Sequence, residues 1–246
     1  MDTKSSCTKW QTFVLHVKKG YEDREEHISR MMKKMNIAFE YILDGDMQDI
    51  TKETLEKYFT EEMKINSPAT SCALKHLLAC HEIVERKIEG ALVLEDDIVL
   101  HDNFVSVFQK SIDELKGNSN WNAKPVIINY EDTRLRFVPR SKRVKGRVLY
   151  EGDRDRMAGA IYVNHAAAKL IWDYAIKDKL DQPIDLFHCY LLKKNLIAYL
   201  WCQPVVATQG SHSGLFMSGI NINKNYFDIL KWKFNLSYKK MIYYFR

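Results

Sequence analysis

Residues 91–97 read ALVLEDD, four apolar residues followed directly by three carboxylates. A short, uninterrupted apolar run is typical of a strand covered on both faces, as strands are in the sheet of an α/β protein. In open sheets of this kind, ligands bind beyond the carboxyl ends of the strands. The segment therefore predicts a buried strand with a ligand site at its end.

The sequence on both sides alternates between strand-like and helix-like patterns. Strand patterns occupy residues 10–17, 37–43, 125–129, 158–163 and 196–201. Helical patterns occupy residues 21–35, 67–84, 102–115, 164–176 and 183–193. Ser67, followed by Pro68, and Asn164 are the expected N-caps of two of these helices. Strands that alternate with helices predict an α/β sandwich with a mainly parallel central sheet flanked by helices.

The composition is that of an ordinary globular protein. The 246 residues are 46% hydrophobic and 28% charged, which excludes a disordered or collagen-like chain. The five cysteines are scattered and never spaced C-x-x-C, which favours a reducing compartment and argues against a thiolate zinc site. No segment reads as a signal peptide or a membrane span. We therefore expect a single domain at residues 1–220 and a cytoplasmic location.

The last 26 residues, 221–246, form a basic and aromatic tail with six Lys or Arg and one Asp. One face of a helix there would carry Phe227, Leu230, Phe234, Tyr238, Met241 and Phe245. Such a segment can lie in an anionic membrane interface, and the alternative is a C-terminal helix docked on the domain. Basic and aromatic surfaces also bind single-stranded nucleic acid, but no binding module accompanies this tail, so we expect no nucleic-acid partner.

The chemistry of the acidic triplet points to a divalent cation. Clustered carboxylates repel one another unless a cation neutralises them, and oxygen-only ligands favour Mg²⁺, Mn²⁺ or Ca²⁺ over zinc. Alternation along an extended segment would place Glu95 and Asp97 on one side and Asp96 on the other. The alternative is a solvated acidic turn. The sequence lacks a phosphate-binding G-x-x-x-x-G-K-[ST] loop and the nucleophilic Asp pattern of haloacid-dehalogenase-type phosphatases.

The block SCALKHLLACHEIVERKIEGALVLEDDIVLHDNF, residues 71–104, resembles the central motif of glycosyltransferase family 25. This is the lipopolysaccharide and lipooligosaccharide type, related to the collagen galactosyltransferases. The likeness continues in FVLHVKKGYEDREEHI, FEYILDGD, MAGAIYVNHAAAKLI and QPIDLF, and covers roughly residues 10–215. Two positions depart from the family pattern, with Lys75 where Ser is usual and His16 where Asn is common.

The resemblance implies a GT-A type, Rossmann-like fold and a metal-dependent, inverting glycosyltransferase. The expected reaction moves a hexose, galactose from UDP-galactose, onto a surface glycan or a lipopolysaccharide-type acceptor. A divalent cation, Mn²⁺ or Mg²⁺, would stabilise the departing nucleoside diphosphate. A lipid-linked acceptor would suit a peripheral position at the inner face of the cytoplasmic membrane.

The resemblance also suggests roles for individual residues. Asp97 is the expected direct metal ligand, with Glu95 binding the metal through water or the donor's ribose. His212, in the late loop QGSHSG, is the candidate further ligand, although a surface turn would read the same way. His76 precedes the triplet on a helix and either orients a site group or is structural.

The ends of the first two strands are the expected wall of the nucleotide site. The candidate donor-binding residues are His16, Arg24, Asp44, Glu95 and Asp96. Alternatively, Arg24 pairs with a neighbouring glutamate, and Asp44 belongs only to a turn. The basic loop at residues 133–150, with Arg134, Arg136, Arg140 and Lys142, either closes over the diphosphate, meets an anionic acceptor or is simply a charged loop.

Inverting transfer requires a base that takes the proton of the acceptor hydroxyl. Asp185, in QPIDLF, is the candidate catalytic base, with Asp153 and Asp155 as alternatives. An acid in the first turn of a helix is also favoured by the helix dipole alone. Two other functional classes stay open: a catalytically silent nucleotide-sugar or glycan-binding protein, and a two-metal phosphohydrolase.

Overall fold

A computed structural model describes residues 10–216 and 226–245. The strands are β1 (Gln11–Leu15), β2 (Glu40–Ile42), β3 (Gly90–Glu95), β4 (Ile98–Leu100), β5 (Val126–Asn129), β6 (Leu149–Glu151), β7 (Ala160–Asn164), β8 (Ala198–Cys202) and β9 (Ala207–Gln209). The helices are α1 (Glu22–Met35), α2 (Lys52–Tyr58), α3 (Pro68–Glu85), α4 (Phe104–Gly117), α5 (Ser119–Asn122), α6 (His165–Lys177), α7 (Ile184–Lys193), α8 (Gly210–Ser213) and α9 (Tyr226–Phe245).

Seven strands form the central sheet in the order β2-β1-β3-β7-β5-β8-β6. Strands β1, β2, β3, β5 and β8 run in one direction, while β7 and β6 run antiparallel to their neighbours. The predicted α/β fold with a mainly parallel sheet flanked by helices is confirmed. It is a Rossmann-like architecture in which the carboxyl ends of β1, β2 and β3 meet at one edge.

Strand β3 lies in the interior of the sheet, and both of its faces are covered. Ala91 and Val93 pack with α3 and α6 on one side, whereas Leu92 and Leu94 pack with α1 and α4 on the other. Alternate side chains of a strand point to opposite faces, so a strand with two apolar faces must lie between two helical layers.

The local signals at the helix ends act as expected. The Ser67 hydroxyl accepts the amide proton of Thr70 with Pro68 in the first turn of α3, and Asn164 accepts that of Ala167 at the start of α6. These caps satisfy amides that have no partner inside the helix. The start of α3, the helix that carries Cys72, Lys75 and His76, is therefore specified locally.

The chain does not stay extended after β3, so the expected alternation of the three carboxylates is wrong. Asp96 and Asp97 form a tight turn, after which β4 pairs antiparallel with β9. This small second sheet carries the segment after β9 back over the triplet. Strands β4 and β9 are more than a hundred residues apart in the sequence, and neither short segment has a local sequence pattern that predicts their pairing.

Helix α9 packs on the domain through one face. The Trp232 indole donates to the Thr133 carbonyl at 3.1 Å, and the Lys240 ammonium lies 3.6 Å from the buried Asp132 carboxylate. The Tyr243 ring contacts Phe137, and the Arg140 guanidinium covers the Tyr244 ring. The opposite face exposes all six apolar side chains that the sequence assigned to one stripe.

The predicted boundary at residue 221, between domain and tail, lies outside the described residues. Within residues 10–216 and 226–245, no helix is both long and apolar enough to cross a membrane.

Candidate active site

A cavity of about 300 Å³ opens at the carboxyl ends of β1 and β3. Its wall includes all three carboxylates of the triplet, together with Arg24 and Lys19. It also includes Leu15, Val17, Tyr21, Met47, Gln48, Pro68, Ser71, Cys72, Lys75 and Gln209. The sequence predicted a ligand site beyond the end of β3, and this cavity lies there because the strand ends of a parallel sheet meet at that edge.

Two side chains hold Asp96 in place: His16, which directly follows β1, and Arg24 of α1. His16 Nδ1 lies 2.8 Å from Asp96 Oδ2, and Arg24 Nη1 donates to Asp96 Oδ1 at 2.9 Å. All three side chains are largely buried, and the Arg24 guanidinium also covers the Tyr21 ring. His16 does not line the cavity. Arg24 pairs with Asp96 of the triplet rather than with a neighbouring glutamate. The structure therefore brings His16 and Arg24 together at Asp96.

Asp97 is a buried carboxylate with an incompletely satisfied oxygen. Its side chain is almost inaccessible, and Oδ1 has no hydrogen-bond partner among the described residues. Burial and, after it, the nearby Glu95 charge raise the pKa of Asp97 to about 7, against the opposing effect of Arg24. A carboxylate in this state is the kind of group that a bound cation neutralises.

The segment after β9 wraps around Asp97. The Gly210 amide donates to the Asp97 carbonyl at 2.7 Å, and the backbone of Ser211 lowers the pKa of the Asp97 carboxyl. A Cβ at position 210 would lie 2.3 Å from that carbonyl oxygen, so only glycine fits this close approach. His212 follows, with its ring 5.7 Å from the Trp232 ring of α9. The loop is thereby fixed between the triplet and α9.

Glu95 uses its two oxygens differently. Gln209 Nε2 donates to Oε2 at 3.0 Å, while Oε1 lies 3.5 Å from His76 Nε2 and 3.6 Å from Cys72 Sγ. The described residues contain one group of three potential metal-binding side chains whose ligand atoms all lie within 4.8 Å of one another. It consists of Cys72, His76 and Glu95.

The predicted ligands Asp97, Glu95 and His212 do not form such a group in the part of the chain described. Their role as metal ligands stays a prediction. The orphaned Asp97 oxygen fits a hard cation, since such ions often take one or two protein carboxylates and complete their shell with substrate phosphates and water.

The loop after β2 buries Asp46 inside the fold and leaves Asp44, the predicted donor-binding residue, exposed. Asp44 has an 88% exposed side chain and lies 3.5 Å from Lys18 Nζ, and it does not line the cavity. Asp46 is fully buried, accepts the Lys18 amide at 3.0 Å and pairs with Lys75 Nζ at 2.8 Å. Lys75 also donates to the carbonyl of Leu43 at 3.0 Å. The lysine that departs from the family pattern thus ties this loop to α3.

Sequence reasoning missed Glu131, a completely buried acid below the triplet. It accepts the Ala160 amide at 3.0 Å and the Thr133 hydroxyl at 2.6 Å. Burial raises the pKa of Glu131 well above its usual range, and the charges of Glu95 and Asp97 add to that effect. A similar signal was present, because Glu131 stands one residue beyond the strand pattern PVIIN, after Tyr130, whereas Glu95 directly follows ALVL.

The candidate base Asp185 begins α7 and is engaged in an ion pair. Arg134 Nη2 donates to Asp185 at 2.9 Å and its Nε lies 3.4 Å from Asp155. Burial alone would raise the pKa of Asp155, but the Cys189 thiol, the Met157 amide and two arginines lower it below its ordinary value. Asp153 is exposed and pairs with Arg154. Asp185 does not line the cavity, although its charge contributes to the raised pKa of Cys72, which does.

The basic loop is only partly open to a ligand. Arg134 and Arg136 pair with carboxylates inside the domain, and Arg140 packs on α9. Lys142 lines a second cavity with Glu151 and Trp201. The loop's positive charge is therefore used largely within the fold.

A sheet edge that presents an acidic triplet and basic side chains to one cavity is typical of an enzyme that binds an anionic nucleotide donor. The family model of glycosyltransferase family 25, described as an LPS biosynthesis protein, matches residues 10–180. This is well over half of the chain, and the chain belongs to family 25. It is accordingly a glycosyltransferase that uses a nucleotide-sugar donor and a glycan acceptor. No curated protein is similar enough to the chain to count as a match.

The matched residues include the triplet, α3 and the first two strands. Asp185 and His212 lie beyond residue 180, so the family match does not bear on either assignment.

Proposed function

We propose that the protein is a metal-dependent, inverting hexosyltransferase that moves galactose from UDP-galactose to a surface glycan of the lipopolysaccharide type. The observation that carries this proposal is Asp97, a buried carboxylate at the cavity with one oxygen lacking a partner. Such a group supports a divalent cation, Mn²⁺ or Mg²⁺, because hard cations prefer oxygen ligands. When bound, the cation supplies positive charge to the departing diphosphate.

The residues around the cavity suggest how the donor is held. Lys19 lines the cavity and pairs with no described carboxylate, so its ammonium is available to the diphosphate. Arg24 lines the same wall, where Asp96 and the Tyr21 ring fix its guanidinium. Fixed cations stabilise developing phosphate charge without reorganising during the reaction. His16 acts on the donor through Asp96, which makes it a positioning residue.

Asp185 is the proposed base. Its carboxylate would take the proton of the acceptor hydroxyl as the oxygen attacks the anomeric carbon and the sugar–phosphate bond breaks. The pairing with Arg134 keeps the side chain oriented and mostly buried. Asp153 and Asp155 are weaker candidates, because Asp153 is exposed with Arg154 and Asp155 is committed to two arginines.

Helix α9 suggests that the acceptor is met at a membrane. Its outward face exposes Phe227, Phe234 and Phe245, each more than 70% accessible, with Leu230, Tyr238 and Met241 between them. Lysines 231, 233 and 239 are exposed on the same helix. An apolar stripe flanked by cations binds the interface of an anionic bilayer. We propose a peripheral position at the inner face of the cytoplasmic membrane.

The test is release of nucleoside diphosphate from a panel of nucleotide sugars, with Mn²⁺ and a lipooligosaccharide acceptor. UDP-galactose should give the fastest release, and Asp97→Asn should lower it by about 100-fold or more. Asp102→Asn is the matched control, since Asp102 is exposed on the surface and pairs only with Lys34 among the described residues. Unchanged turnover in Asp97→Asn would contradict the metal assignment. Donor binding without release in the wild type would favour a silent binding protein.

A further inference from the structure

Three potential ligand atoms converge beneath the cavity from two elements. Cys72 and His76 are four residues apart on α3, so their side chains lie on the same face of the helix. Glu95 ends β3 opposite them, and its Oε1 lies 3.6 Å from Cys72 Sγ and 3.5 Å from His76 Nε2. Two of the ligand atoms therefore come from one helix and the third from a buried strand that packs against it.

These separations match a tetrahedral zinc site. Zn–S bonds of about 2.3 Å and Zn–N and Zn–O bonds of about 2.0 Å, at tetrahedral angles, separate sulfur from oxygen by about 3.5 Å and nitrogen from oxygen by about 3.3 Å. The two observed separations from Glu95 Oε1 differ from these by a few tenths of an ångström or less, and the ligand atoms of Cys72 and His76 lie within 4.8 Å of each other.

The chemistry of the donor set selects the type of metal. A thiolate and an imidazole favour zinc over Mg²⁺ or Mn²⁺, which prefer oxygen. Gln209 donates to the other oxygen of Glu95 at 3.0 Å and so keeps Oε1 directed at the cluster. Cys72 and Glu95 also line the cavity, which leaves a fourth coordination position open to water.

We propose that Cys72, His76 and Glu95 form a zinc site at the floor of the cavity, separate from Asp97. On binding, the Cys72 thiol loses its proton to solvent, and a Zn–S bond takes the place of the S–H bond. Sequence spacing argued against a thiolate zinc site because it considered only pairs of cysteines, whereas here the cysteine is joined by a histidine on the next turn and an acid from another element.

The site shares Glu95 with the proposed donor site and therefore deepens the proposed function. Metal binding can be measured without any sugar transfer, so the two proposals can fail separately. The wild-type protein, freed of metal, is titrated with Co²⁺ and with Zn²⁺ against a chromophoric chelator. We expect a thiolate-to-cobalt charge-transfer band and zinc binding that weakens by about tenfold or more in Cys72→Ser.

Cys189→Ser is the matched control, because Cys189 is a second half-buried thiol that lies beside Asp155 and does not belong to the cluster. It should keep both the cobalt band and the zinc affinity, and so should Asp97→Asn. Thermal unfolding of Cys72→Ser and Cys72→Ala establishes that both variants are folded. Zinc binding that is unchanged in both Cys72 variants, or that disappears equally in Cys189→Ser, would overturn the proposal. Loss of the cobalt band in Asp97→Asn would overturn the separation from Asp97.

Discussion

Replacing Asp97 by asparagine should stabilise the metal-free protein, and increasingly so as the pH rises. The pKa of Asp97 is about 7 in the folded protein, against 3.8 for an ordinary aspartate. Between these two values the folded protein keeps a proton that the unfolded chain has lost. Folding stability therefore falls as the pH rises through this window, reaching its full loss above pH 7. Asparagine is neutral throughout and carries no such penalty.

The size of the effect follows from the same two values. At about 1.4 kcal/mol for each pKa unit, the ionisable group reduces the free energy of unfolding by about 4 kcal/mol at pH 8 and about 2 kcal/mol at pH 5. The advantage of Asp97→Asn over the wild type should thus widen by about 2 kcal/mol between these pH values. For a chain of this length that is a difference of about 4–8 °C in melting temperature.

The assay is thermal or urea unfolding of both proteins in EDTA at pH 5 and pH 8. Asp102→Asn serves as the control, because its fully exposed carboxylate has a pKa lowered by Lys34 and should show no widening. Adding Mn²⁺ at pH 8 should stabilise the wild type and leave Asp97→Asn unaffected. An advantage of Asp97→Asn that is equal at the two pH values, or smaller at pH 8, would refute the reasoning.

Three further changes test other parts of the structure. Lys75→Ser restores the residue usual in the family but leaves the buried Asp46 carboxylate without its cationic partner. It should lower the free energy of unfolding by about 3–5 kcal/mol. An unchanged urea midpoint would contradict this. Phe234→Ser on the exposed face of α9 should reduce co-flotation with anionic vesicles severalfold, whereas Ile176→Ser on α6 should not; equal flotation would remove the membrane proposal. Gly210→Ala pushes a methyl group against the Asp97 carbonyl and should weaken Mn²⁺-dependent UDP binding, measured by calorimetry, by about tenfold, or 1.4 kcal/mol; unchanged affinity would contradict the loop's role.

The fold could be predicted where the sequence carries local signals. The apolar run before Glu95, the cap at Ser67 and the cap at Asn164 each specify their own element, and all three agree with the structure. The antiparallel direction of β7 and the pairing of β4 with β9 depend on contacts between distant segments. The hydrophobic periodicity of a strand reports its local conformation and not its pairing partner, so it could not predict either pairing.

The candidate site was predictable in location but not in its individual contacts. Asp96 and Asp97 were found because they follow a buried strand, and Glu131 could have been found by the same rule. Asp44 and Asp46 have the same local pattern, and only the fold shows that Asp46 faces inward, because its partner Lys75 comes from α3. The burial that gives Asp97 its raised pKa likewise arises from the distant segment after β9.

The central claim is that Asp97 holds a divalent cation against the diphosphate of the donor. The most direct measurement is anomalous diffraction from crystals of the protein soaked with Mn²⁺ and UDP. We expect a manganese peak in the cavity within about 2.5 Å of the Asp97 carboxylate, with the UDP phosphates in contact with the same ion. A manganese ion and a UDP molecule bound together away from Asp97 would contradict the account.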